Sequence, residues 1–119
     1  MAYGLTIKKN AGGWIVERSS GSGAGKPGDT VTWTIESSEP ATAHLQFLND
    51  IFDPSVRLDN HWVGVVKQGE NLELTLSSKA MCDPRVLKRT HGYAVAVVDA
   101  SGVRYAFGNN PPPELEVGD

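Results

Sequence analysis

Large apolar residues recur at every second position along much of the chain, in short runs broken by glycine, proline, asparagine and aspartate. The clearest run is Thr30 to Ile35, where Val31, Trp33 and Ile35 alternate with threonines. At a period of two, this puts the apolar groups on one face of a strand and the hydroxyls on the other. Just before it, Lys26-Pro27-Gly28-Asp29 has turn chemistry: proline presets φ, glycine takes a conformation other residues avoid, and aspartate bonds back to nearby backbone. Tyr3, Leu5 and Ile7 alternate in the same way, and Asn10 to Gly13 predicts a turn into Trp14-Ile15-Val16-Glu17, an opening hairpin.

Leu45 and Phe47 mark a further strand, with His44 facing away from that pair. Trp62 to Val66, a turn at Lys67 to Glu70, and Asn71 to Ser77 read as a second hairpin, with Leu72, Leu74 and Leu76 on one face. Tyr93 to Val98 is apolar at every position, as a strand covered on both faces should be, and Asp99 to Gly102 turns it into Val103 to Phe107. Pro111 to Pro113 forms a stiff connector, and Leu115-Glu116-Val117 predicts a last edge strand. The one helical signal has Asp83 at the N-cap, Pro84 at the first helical position, Lys88, Arg89 and His91 in the last turn and Gly92 after it, predicting a short helix over 84–91. About eight strands with turn signals between them predict an all-β, two-sheet Greek-key sandwich.

The 119 residues suit a single β-sandwich domain over 1–119. A net charge of −3 with scattered lysines and arginines gives no basic stripe, which argues against nucleic acid. No apolar run approaches the roughly 18 residues of a membrane span. The first residues lead straight into a strand pattern rather than a secretion signal, so a cytoplasmic protein is expected. Cys82 is the only cysteine, which leaves the fold to rest on its core rather than on an internal disulfide.

Candidate chemistry is sparse. Gly23 to Gly28 matches G-x-G-x-x-G, but a proline turn and a strand follow where a phosphate site needs a helix N-terminus. His44, His61 and His91 with Cys82 and Met81 include the side chains of a copper or zinc site, though no pair has the short spacing of a zinc motif. Cys82 as a nucleophile is opposed by the adjacent Asp83. Asp50, Asp53 and Asp59, with Glu36 and Glu39, lack a calcium-loop pattern. The stretch Asn49 to His61 reads as a long surface connection, where function concentrates; Asp53, His61 and Trp62 are its candidate ligand or partner contacts.

Taken in order, the opening hairpin, the Pro27-Gly28-Asp29 turn into Thr30 to Ile35, His44 at the head of a strand, Leu72 to Leu76, and Tyr93 to Val98 feeding a last hairpin resemble the cupredoxin family. The resemblance implies a cupredoxin-like or immunoglobulin-like sandwich. In that family copper ligands follow the strand corresponding to Tyr93 to Val98; here Asp99 follows and no Cys, His or Met comes after it, so the blue-copper site is absent. The run Gly25 to Trp33, with Tyr93 to Asp99 leading to Tyr105-Ala106-Phe107, also resembles bacterial inclusion-body proteins of the AidA and PixA type, cytoplasmic β-sandwiches of unsettled role. The expected function is therefore non-enzymatic binding of a protein or small ligand without a cofactor, with self-association, as in a homodimer, through exposed sheet edges. The alternatives are a histidine metal site and a small enzyme using Asp53 or His61 as base.

Overall fold

The computed structural model describes residues 2–21, 25–47, 51–53, 57–58, 61–77, 88–107 and 114–118. Among these, ten strands and no helix form: β1 (Ala2–Asn10), β2 (Gly13–Ser20), β3 (Thr30–Glu36), β4 (Thr42–Phe47), β5 (Arg57–Leu58), β6 (His61–Lys67), β7 (Asn71–Thr75), β8 (Lys88–Asp99), β9 (Gly102–Ala106) and β10 (Glu114–Gly118). They make two sheets, one ordered β2-β1-β3-β7 and one ordered β10-β8-β4-β6-β5 with β9 also paired to β8. The expected all-β sandwich is what forms.

The local turn chemistry acts as expected. In the first hairpin the Asn10 side chain accepts from the Gly12 N–H at 2.8 Å, and Gly13 carries a φ of 122° that other residues resist. The Lys26 to Asp29 turn closes twice: the Asp29 N–H donates to the Lys26 carbonyl, and the Lys26 N–H donates to the Asp29 carboxylate, both at 2.9 Å. The chain then enters β3, which runs parallel to β1 and antiparallel to β7.

The core lies between the sheets. Trp33 of β3 is fully buried and meets Phe47 of β4 and Tyr93 of β8 from the opposite sheet, with ring centroids 5.7 and 5.9 Å away. Phe52 completes the cluster, 4.8 Å from Phe47. The tilted and edge-on contacts suit aromatic quadrupoles. The indole N–H of Trp33 donates to the Tyr93 hydroxyl at 3.3 Å, so the cluster is also tied by one buried polar contact across the sheets.

Three expectations are corrected. Lys88 to His91 extend β8 instead of ending a helix, because Lys88 to Gly92 pair antiparallel with β10; 84–87 lie outside the described residues. Partners from the far end of the chain override the local capping pattern. The second hairpin does not form either: β6 and β7 lie in different sheets, and the Lys67 to Glu70 turn carries the chain across the core. At that crossing a Cβ on Gly64 would stand 2.6 Å from Leu72 Cδ2, so the glycine admits Leu72 against the β6 backbone. Finally, Ile51 and Phe52 are buried, with Phe52 bridged to Leu76, so this part of the supposed surface connection belongs to the core.

Candidate binding surface

Strand register fixes which side chains share a face. In the six-stranded sheet, Ala43, Leu45 and Phe47 pair with Val97, Val95 and Tyr93, and all six are buried. The alternate positions face outward. His44 lies between Val65 of β6 and Ala96 of β8, and Ala96 lies beside Tyr105 of β9. One turn along, the row runs Lys67, Thr42, Val98, Val103. Between the polar Thr42, His44 and Lys67, this outer face carries exposed apolar groups: Val98 is 40%, Val65 43%, Val103 61% and Tyr105 65% exposed, while Phe107, 50% exposed, stands past the end of β9 and is bridged to Ile15 of β2. Tyr93 to Val98 was expected to be covered on both sides; its outer side is open.

The four-stranded sheet presents the opposite character. Outward positions there are mostly polar: Thr6 and Lys8 on β1, Glu17 on β2, Thr32 and Thr34 on β3 and Asn71 and Glu73 on β7, with Ile15 beside Lys8 the apolar exception and Lys8 and Glu17 joined at 3.2 Å. Scattered apolar groups on a surface are ordinary, whereas a contiguous stripe marks a contact site.

The sandwich also has a polar cleft of about 470 Å³ at one end, lined by Lys9, Trp14, Glu36, Ser37, Ser38, Glu39 and Asp99. The buried Trp14 indole N–H donates to the Asp99 carboxylate at 3.3 Å. The Ser37 hydroxyl is held in its own turn, donating to the Glu39 carbonyl and accepting from the Glu39 N–H. Among the described residues this lining holds carboxylates, hydroxyls and Lys9 but no imidazole or thiol.

The candidate metal side chains do not come together where the structure describes them. His44 is exposed on the outer face of β4, while His91 is buried on the inner face of β8, on the opposite side of the same sheet. His61 and Trp62 stand in β6, paired with Leu58 and Arg57; Cys82 and Met81 lie outside the described residues. Among the described residues no three His, Cys, Asp or Glu groups form a metal-sized cluster. Asp53 is exposed, and its backbone N–H donates to the Thr75 carbonyl at 2.8 Å. Glu36 and Glu39 join Asp99 at the cleft, without Asp53; Asp50 and Asp59 lie outside the described residues.

The lowered proton affinity of Asp29 is structural: the Lys26 N–H bonded to its carboxylate holds it below the usual range, against the desolvation that would raise it. Burial pushes the Tyr93 phenol above its ordinary value. Neither group lines the cleft or the stripe. No protein-family model matches the chain, and no curated protein is significantly similar to it.

Val65, Val98 and Val103 are not among the candidates that sequence reasoning offers, whereas Tyr105 and Phe107 are aromatic residues that could stack on a ligand. The alternation in Val103-Arg104-Tyr105-Ala106-Phe107 points the other way, with the three large apolar residues on one face predicted to be the core face. In the fold, Ala106 is buried and the three larger residues are exposed.

Proposed function

We propose that this chain is a non-catalytic, protein-binding β-sandwich that makes contact through the outer face of its six-stranded sheet. One observation carries the reading: Val98 of β8 and Val103 and Tyr105 of β9 are exposed and apolar, with Val65 of β6 beyond the Thr42 and His44 positions of β4, while the outward positions of the four-stranded sheet are mostly threonines and charges. A solvated sheet face reads as polar, so an apolar one with this register signals that another protein covers it. Tyr105 is the natural anchor, large and amphipathic, with His44 and Thr42 supplying polar groups between the apolar residues and Lys67 at one edge.

A photo-crosslinking residue placed at Tyr105 in living cells tests this against the same residue at Glu73, which is exposed on the other sheet. Discrete protein adducts from position 105 and none from 73 support the reading. No adduct from 105, or equal adducts from both, overturns it.

A further inference from the structure

Resting on that binding face, we infer that its occupant is a second copy of this chain, packed face to face about a two-fold axis that runs parallel to the strands between β4 and β8. The argument is the order of side chains across the sheet. The central row reads Val65, His44, Ala96, Tyr105 along β6-β4-β8-β9. Such an axis lays this row on its own reverse, so Tyr105 falls on the partner's Val65 and His44 falls on the partner's Ala96. A large group meets a smaller one at each step, and no two bulky groups collide. The neighbouring row reverses equally well: Thr42 falls on the partner's Val98, and the Lys67 stem covers the partner's Val103 with its ammonium left in water.

The area is adequate. Scaled by their exposures, with roughly 150–250 Å² for a large aromatic side chain and less for valine, the four exposed apolar residues of these two rows offer on the order of 300–400 Å² per copy. The small and polar neighbours in the same rows extend this toward the ~800 Å² per partner of a standard interface. Sheets stacked this way pack about 10 Å apart at a mutual angle near −30°, which keeps the centre of the rows in register and relaxes it only at the corners. The acidic groups Glu39 and Asp99 lie beyond the Thr42 and Val98 row at one end, so the centre of the face holds no like-charge obstacle.

Sedimentation equilibrium on the purified chain tests this, with thermal melts confirming that each variant is folded. Wild type is expected to be dimeric, and Ala96→His to weaken association about 10-fold or more by setting histidine on histidine. The swap His44→Ala with Ala96→His restores large-on-small packing, and association should return to within about 3-fold of wild type. Failure of the swap to recover overturns the geometry. A wild type that is monomeric at about 0.5 mM overturns the second copy; if position 105 then crosslinks to a different protein in cells, the binding face itself survives, and if it crosslinks to nothing, both readings fail.

Discussion

Tyr93→Phe removes one oxygen from the centre of the core, and its cost follows from what that oxygen does. The Tyr93 hydroxyl accepts the Trp33 indole N–H at 3.3 Å, with both residues buried and their rings edge-on at 83°. Phenylalanine keeps the ring, so the aromatic contacts to Trp33 and Phe47 persist. The indole N–H, however, is left in an apolar site. A satisfied hydrogen bond contributes about 1 kcal/mol net, and an orphaned buried donor costs about 1–3 kcal/mol. Tyr93→Phe should therefore destabilise by roughly 2 kcal/mol, a fall of about 8 °C in Tm for a chain of this size. Urea unfolding followed by tryptophan fluorescence gives the value, with an unchanged m confirming that the two end states are the same. Trp33→Phe should cost more because a cavity is added, and the double variant should cost less than the two single losses together. A loss below about 0.5 kcal/mol for Tyr93→Phe, or strict additivity in the cycle, would refute the claim that this bond ties the sheets.

Other outcomes follow from the same structure. Gly64→Ala brings a Cβ within 2.6 Å of Leu72 Cδ2 and should lose about 1–3 kcal/mol; adding Leu72→Ala should recover part of that loss in the same urea assay. Because burial raises the Tyr93 phenol above its ordinary value of 10.0, the folded chain holds a proton that the unfolded chain releases. Stability should therefore fall as pH rises above about 10, and less steeply in Tyr93→Phe. Asp29 runs the other way: its carboxyl is held below 3.8 by the Lys26 N–H, so its contribution is present above that value and lost as pH falls through the folded value. Asp29→Asn should flatten the decline in urea midpoint as pH falls below about 4. Tyr105→Lys, at a 65% exposed site, should leave the stability of the chain within about 0.5 kcal/mol of wild type when both are melted at concentrations dilute enough to be monomeric.

Much of this fold was legible wherever one strand and its turn carried the information. The alternation in Thr30 to Ile35 marked Trp33 as core, and Asp99 to Gly102 marked a tight hairpin in which the Ser101 N–H bonds the Asp99 carboxylate at 2.8 Å. What escaped depended on distant partners. The Lys67 to Glu70 turn looks the same whether the chain returns within one sheet or crosses to the other; Gly64, a glycine inside a strand, was the signal of close approach. Capping chemistry around Asp83 to Gly92 could not reveal that Leu115 would pair beside His91. Trp14 and Asp99 meet across 85 residues of sequence, and Ile51 and Phe52 are held in the core by the Leu76 bridge.

The candidate site was hidden for a different reason. Tyr93 to Val98 was read as a strand covered on both faces, and the residues themselves justify that. Valine and alanine at outward positions look the same whether a layer of the same chain or another protein covers them. Register against β4 and β9 showed which positions face outward, and their exposure showed that no described residue covers Val98 there. His44, by contrast, was placed correctly from alternation alone, since Leu45 and Phe47 had to share the opposite face.

Hydroxyl-radical footprinting in living cells, compared with the same labelling of dilute purified protein, tests the binding face most directly. Tyr105, Phe107 and Val103 should be protected in cells relative to the dilute chain, with exposed residues of the four-stranded sheet labelled equally in both. Equal labelling of the stripe in both conditions would contradict the claim that this face is a protein contact.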